Sequence, residues 1–258
     1  MSNSLYDSFA PIYDLQHGAF DDDLPLYHRL AKEHSVVKPI LELGCGTGRA
    51  MLPLVKAGYR VVGVDESEAM LAIARQKLSD FSKKSDVCKL IQADARQLEL
   101  DERFGLAFIA LNTFLHNLTR EDQLATLRSA HRHLLTDAVL VIDLPANDEL
   151  SYQPDDGEFV FETALIDPRN RARIDKYVAS KIFWATQEQE LTYRIVEESD
   201  GEKREQFVSF RLRHVFKHEM ELLLLQSGFN TPTWHGDYDL KPYTDGSPRM
   251  IAVARKGL

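Results

Sequence analysis

Residues 39–49 read PILELGCGTGR, and no other stretch constrains the chain so strongly. Ile40, Leu41 and Leu43 form a short apolar run that breaks into a turn carrying Gly44, Gly46 and Gly48. A run of this kind, closed by glycine and followed by helix-forming sequence, predicts a buried parallel strand feeding a helix. Without a Cβ, the glycines let the backbone turn sharply and let another group approach the amides. Those amides open a helix, where the dipole and the unpaired N–H groups face outward. Glu42 stands at the end of the strand, beside that opening. The plainer reading, in which the glycines only let a strand pack tightly on a helix, stays open at this point.

The spacing narrows the choice. A dinucleotide fingerprint has the pattern G-x-G-x-x-G, whereas this turn is G-x-G-x-G, one residue tighter. Residues 60–65, RVVGVD, form a second apolar strand that ends in a carboxylate. Asp65 lies about 20 residues past the glycines, where an acidic group can accept hydrogen bonds from ribose hydroxyls. Two strands, a glycine turn and a terminal Asp make a nucleoside-binding half-fold. They do not choose NAD over another adenosine ligand.

Composition excludes some partners. The 258 residues carry a formal net charge of −9, against the basic surface needed for general nucleic-acid affinity. The nearest basic cluster, Arg169, Arg171 and Arg173, reads as a solvated turn. Cys45 and Cys88 are the only cysteines, too few for a disulfide framework or a zinc site, and no metal site is expected. Cys45 reads as a small residue that fits the glycine turn. No stretch is apolar for long enough to span a bilayer, and the N-terminus lacks a basic-then-apolar leader, so a cytoplasmic location is the default expectation.

Three motifs in order, LELGCGTGR, VVGVDESEAML and QADAR, resemble class I S-adenosylmethionine-dependent methyltransferases of the small-molecule type, over about residues 6 to 145. The resemblance implies an α/β fold: a Rossmann-like doubly wound sheet of about seven strands, the last antiparallel. It implies S-adenosylmethionine as cofactor. Gly44, Gly46 and the adjacent backbone at Cys45 would then contact the methionine part, with Glu42 close by. Asp65 and Glu66 would serve the ribose side, Met70 would pack on adenine, and Asp94 with Ala95 would meet the adenine edge. Tyr13 or Phe9, in an aromatic segment over residues 5–20 interrupted by Pro11, would face the methionine end. Leu111 and Asn112, at the exit of the fourth strand, complete the expected cofactor set.

The remaining chain fits around this core. Helices are predicted over residues 21–35, 49–58, 67–79, 120–135 and 217–228. The acids Asp21, Asp22 and Asp23 would lie in the first turn of their helix, Ser67 and Thr119 would be N-caps, and Gly228 would close the last helix. Strands are predicted over residues 87–93, 104–111 and 138–144. Gly44, Asn112 and Asp143 should therefore meet on one rim, where open α/β sheets bind ligands. Residues 150–214 break the rhythm with strand-like runs at 158–165, 172–185, 190–198 and 206–215, joined by turns. They predict an inserted antiparallel β lid over the rim, of the kind found in glycine and sugar N-methyltransferases; a homodimer contact is the other use for such a sheet. The organisation expected is 1–149 as cofactor-binding core with an N-terminal strap, 150–214 as lid, and 215–258 as the return of the core with two closing strands.

Methyl transfer from a sulfonium is an in-line displacement with a neutral leaving group. It asks mainly for orientation, and for a base only if the acceptor arrives protonated. His116 is the catalytic candidate, because it follows the fourth strand at the rim; Tyr6, Tyr13 and Tyr238 are further candidates. Trp184, Trp234 and Tyr152 could line a cation-binding wall. The function expected is methyl transfer to a small-molecule nitrogen or oxygen acceptor. An RNA or protein methyltransferase and a non-catalytic S-adenosylmethionine-binding protein are the alternatives, and an NAD-linked oxidoreductase is disfavoured by the tight glycine spacing.

Overall fold

A computed structural model describes residues 6–7, 9–82, 87–146, 156–199 and 201–257. Its centre is a seven-stranded sheet. In chain order the strands are β1 (Ile40–Leu43), β2 (Val61–Asp65), β3 (Cys88–Gln92), β4 (Phe104–Ile109) and β5 (Leu134–Pro145), then β10 (Thr233–His235) and β11 (Arg249–Arg255). Their spatial order is β10-β11-β5-β4-β1-β2-β3. The first five run parallel to one another, and β11 runs antiparallel to both β5 and β10. Order reverses between β1 and β4, so a crevice opens at their carboxyl ends.

Burial explains the sequence pattern. Every residue of β4 is buried, as a central strand covered on both faces requires. On one face Leu106 and Phe108 meet Tyr27 and Leu30 of α2 (Leu24–His34) and Leu54 of α3 (Met51–Lys56). The Tyr27 ring stacks on Phe108 at 4.4 Å. On the other face Ala107 and Ile109 join Leu127 of α6 (Arg120–His133) and Leu224 of α7 (Lys217–Gln226). Burying one such aromatic or aliphatic side chain is worth about 1.5–3 kcal/mol, which is why a strand without polar residues fixes the middle of the sheet.

Side-chain caps set two helix starts. Ser67 caps α4 (Glu68–Lys77) by accepting from the Met70 amide at 3.1 Å. Thr119 does the same for α6 with the Asp122 amide at 3.0 Å. Three expectations need correction. Strand β5 begins at Leu134, directly after α6, so no loop separates them. The acids 21–23 precede α2 and none lies in its first turn; Asp23 occupies the N-cap position but makes no capping bond. Its carboxylate is taken instead by Arg49, which lies between the glycine turn and α3. Pro11, expected to interrupt a helix, sits in the first turn of α1 (Ala10–His17), where its missing N–H costs nothing.

Between β5 and α7 lies a second sheet: β6 (Val160–Ile166), β7 (Arg173–Phe183), β8 (Glu188–Ser199) and β9 (Glu202–Arg213), antiparallel throughout in that order. One face is apolar. Ile174, Ile195 and Val208 are buried with Phe9 from the strap, and Tyr6, Tyr13 and Tyr193 pack against them. The sheet thus lies on the N-terminal strap, and the strap lies between it and the glycine turn. Tyr152 falls outside the described residues.

Candidate functional site

The site is built at the carboxyl ends of β1, β2 and β4. Gly46 has φ +51, and nothing lies within 4 Å of where its Cβ would be. Its amide donates to Oδ2 of Asp65 at 2.8 Å, while the Ser67 amide donates to Oδ1 at 2.9 Å. Asp65 therefore ties the glycine turn to the start of α4. Burial raises its carboxyl pKa, and the two amide bonds oppose that rise. A carboxylate has about four lone-pair sites, so these backbone bonds leave room for a ligand. Gly44 does a different job. A Cβ there would lie 2.2 Å from Cγ2 of Thr113, so this glycine lets the short 3-10 helix Thr113–His116 press against the turn. Cys45 is buried, with its sulfur 2.8 Å from where a Cβ on Gly63 would stand, as its reading as a packing residue requires.

Glu42 is 2% exposed, and its Oε2 has no hydrogen-bond partner among the described residues. Burial pushes its pKa well above the usual carboxylate range; nearby Arg49 pulls the other way, while Asp23 and Asp65 add to the rise. Arg49 itself is committed. Its two terminal nitrogens each reach a different oxygen of Asp23 at 2.6 Å, and one also donates to the Phe20 carbonyl at 2.8 Å. This buried pair joins the glycine turn to the segment after the strap. Sequence reasoning missed it, because two residues 26 apart carry no local signal of pairing.

Along the β2–β3 side, Met70 is buried and Ala95 half-buried. Asp94 caps the 3-10 helix Ala95–Gln97 through the Arg96 amide at 2.8 Å and also binds Nε of Arg96. Burial would raise its pKa, but the bonds from Arg96 lower it overall. Glu66 lies beside it, with its own pKa raised by burial and by Asp94. Asp94 and Ala95 thus lie just past the end of β3, with the carboxylate held by Arg96.

The strap and the second sheet close the other side with aromatic rings. Tyr6 lies edge-on to Tyr13 at 6.1 Å and to His116 at 5.3 Å, and Phe210 of β9 lies 5.9 Å from His116. Tyr6 Oη and Nε2 of His116 are 2.8 Å apart. Three further bonds latch the strap down: Ser67 donates to Asp7 at 2.6 Å, Thr47 donates to Asp14 at 2.7 Å, and Lys77 pairs with Asp14. Lys176 of β7 is wholly buried, with its ammonium 3.5 Å from the centre of the Tyr193 ring, 2.8 Å from Glu162 and 2.7 Å from Gln16. It pins strap to sheet, and nothing in its sequence neighbourhood marks it.

Two of the candidate catalytic groups have hydrogen-bond partners in the structure. Burial drives the pKa of His116 down to about 4, so its imidazole is neutral at pH 7 and a poor proton acceptor there. Its observed work is to hold Tyr6. His116→Gln, whose amide can keep that bond, is expected to lower kcat by less than about tenfold, whereas losing a true general base costs roughly 10²–10⁴-fold. The pH–rate profile should keep its shape between about pH 5 and 8, because a group with a pKa near 4 does not titrate in that window. A larger loss, with a missing acidic limb, would restore His116 as the base. Tyr238 is spent on Asp143 at 3.2 Å. The aromatic wall does not form from tryptophans either: Trp184 is 57% exposed, and Trp234 donates to Glu221 away from the glycine turn. Arg169, in the turn, pairs with Asp167, and Arg173, at the start of β7, pairs with Asp175, both with exposed side chains. Among the described residues no cluster of His, Cys, Asp or Glu is placed to hold a metal, and no helix is long and apolar enough to cross a membrane.

Comparison with known proteins agrees with this geometry. Residues 40–137 match the family described as a methyltransferase domain. A cypemycin N-terminal methyltransferase of a Streptomyces species is 35% identical over 106 residues, 41% of each chain. The dTDP-3-amino-3,6-dideoxy-alpha-D-glucopyranose N,N-dimethyltransferase of Streptomyces fradiae is 30% identical over 142 residues, 52% of each chain. The chain spans about half the length of the curated relatives it matches. The solved CcbJ methyltransferase of Streptomyces caelestis superposes over 99% of both chains with a TM-score of 0.81 at 22% identity, a likeness of fold that includes the second sheet. Strand order, glycine turn and family match together identify residues 40–137 as a class I S-adenosylmethionine-dependent methyltransferase domain.

Proposed function

We propose that this chain transfers the methyl group of S-adenosylmethionine to a nitrogen or oxygen of a small molecule. The observation that carries the reading is the open side of Gly46, bonded to the Asp65 carboxylate, together with the buried Glu42 oxygen at the end of β1 that has no partner among the described residues. These groups fit an adenosylated amino acid. The free lone pairs of Asp65 suit ribose hydroxyls, and Glu66 lies next to it. Glu42 offers a carboxylate to the methionine ammonium. The backbone of Gly44, Cys45 and Gly46 and the exit residues Leu111 and Asn112 border the amino-acid end. Tyr13 covers it from the strap, and Met70, Asp94 and Ala95 border the adenine end. When bound, the cofactor supplies an activated methyl on sulfur with a neutral leaving group. The chain's own residues then have to orient the acceptor and exclude water.

The acceptor half is assigned to the apolar face of the second sheet together with the strap. Tyr6, Phe9, Tyr193 and Phe210 form a wall against the 3-10 helix at His116, on the same side as the glycine turn. Such a wall suits a small, neutral acceptor better than a polyanion, in line with the net charge of −9. One relative is named for N,N-dimethylation of a dTDP-linked amino sugar, which supports an amine among the first acceptors to try. Calorimetry tests the cofactor half: S-adenosylhomocysteine should bind in the micromolar range, about −8 kcal/mol, and NAD should give no heat. Binding of NAD with no response to the adenosyl compounds would overturn the reading. Tight cofactor binding with no transfer to any amine or hydroxyl acceptor would leave a binding protein instead.

A further inference from the structure

Strand β4 leaves the sheet through two consecutive non-glycine residues in the left-handed region, Leu111 at φ 43 and Asn112 at φ 63. Such residues are strained and persist only where their surroundings over-determine them. The surroundings here are specific. The Asn112 amide donates to the Asp143 carbonyl at 3.1 Å, and the Leu111 amide lies 3.4 Å from Oδ2 of Asp143. Arg249, at the start of β11, donates from Nε to Oδ1 of Asp143 at 2.8 Å and from Nη2 to Oδ1 of Asn112 at 2.8 Å. Asp143 is fully buried and Arg249 is 14% exposed. One guanidinium thus spans the β5 carboxylate and the kinked exit of β4, using the fixed fork that distinguishes Arg from Lys.

The kink matters through the residues it aims. Thr113 is the next residue, and its methyl occupies the space a side chain on Gly44 would need. Three residues further on, His116 holds Tyr6 of the strap. The position of the 3-10 helix therefore sets both one wall of the glycine turn and the seat of the strap.

We propose that Arg249 is a positioning residue of the methyl-transfer site: by clamping Asn112 to Asp143 it holds the β4 exit in its left-handed course and so seats Thr113–His116 against the glycine turn. The proposal rests on the cofactor reading above. It gives the last strand of the chain, about 200 residues from the glycine turn, a part in cofactor affinity without direct contact.

The test separates position from folding. Arg249→Lys keeps a cation beside Asp143 but cannot span both partners. Asn112→Gly keeps the Arg249–Asp143 pair and accepts the left-handed φ without strain, yet loses the anchor. Each should weaken S-adenosylhomocysteine binding by about tenfold, the scale on which small misplacements act at such sites. Asn112→Gly should not lower the melting temperature, a split that a merely structural role would not produce. The double variant should be no weaker than either single one, since both remove the same clamp. If the wild type binds the ligand and both single variants bind equally well, the positioning role is wrong while the cofactor reading stands. Fully additive losses would also overturn it. A wild type that does not bind overturns both.

Discussion

Glu42→Gln is expected to move stability and cofactor affinity in opposite directions. In the free protein the carboxyl is buried, one oxygen is unpartnered, and its pKa lies well above the usual carboxylate range. A raised carboxyl pKa means that the folded state holds its proton more tightly than the unfolded state. Its stability contribution is present below the unfolded value, near 4.5, and is lost as pH rises through the folded value. At pH 7–8 the native chain therefore carries a cost that the amide does not. The variant should melt higher there, by about 2–4 °C for each kcal/mol relieved, and the gap should shrink toward pH 4.5. Binding goes the other way. A ligand ammonium set against Glu42 favours the ionised carboxylate, so removing the charge should cost roughly 2–5 kcal/mol of S-adenosylhomocysteine affinity, thirtyfold or more. The same linkage makes the native protein release a proton on binding. Its affinity should rise with pH until the raised pKa of Glu42 is passed, and the calorimetric heat should depend on the buffer's ionisation enthalpy. A variant that binds normally would show that the orphaned oxygen faces no ligand cation.

The sheet, the glycine turn and both capped helices were legible in the sequence because their signals are local. Ile40 to Leu43 and Phe104 to Ile109 are apolar runs bounded by turns, and Ser67 and Thr119 stand at the right offset from their helices. The four strands of the second sheet were legible from alternation and from turns at residues 167–170 and 199–202, with ends shifted by one to four residues. Pairwise, long-range contacts escaped. The run Asp21–Asp23 looked like helix-dipole chemistry, yet Asp23 belongs to Arg49. His116 stands out in the sequence as a candidate base at the rim, but the rings that cover it come from residues 6 and 210, and the burial that lowers its pKa could not be read locally. Arg249 carried no signal at all, since its partners come from β4 and β5. Charge pairs that bridge strands far apart in sequence have no periodicity to read. In this chain they hold the parts that border the open side of Gly46.

Replacing residues 158–213 by a short Gly-Ser linker should remove turnover while leaving the seven-stranded sheet folded. The pairing of β5 with β4 and β11 does not involve the second sheet, and the buried core between α6, α7 and the central strands is built largely from residues outside it. The strap loses more. Phe9 is 1% exposed, and its cover is Ile174, Ile195, Val208 and Tyr193. Without them the strap still has its latches through Asp7, Asp14 and Tyr6. Cofactor affinity should therefore fall, by about 1–3 kcal/mol if the strap opens, the worth of a few charge-assisted hydrogen bonds. Turnover should fall much further, because orientation of the acceptor and exclusion of water are both lost, and together these can supply about 7–11 kcal/mol of a bimolecular barrier. Phe210→Ala and Tyr193→Ala keep the sheet but open the wall. Each should raise KM for the acceptor more than it weakens S-adenosylhomocysteine binding, so the idea remains testable even if the shortened chain aggregates through the exposed strap. Normal turnover in the shortened chain, or wall variants that change cofactor affinity alone, would mean that the second sheet only supports the strap and that the acceptor is held elsewhere.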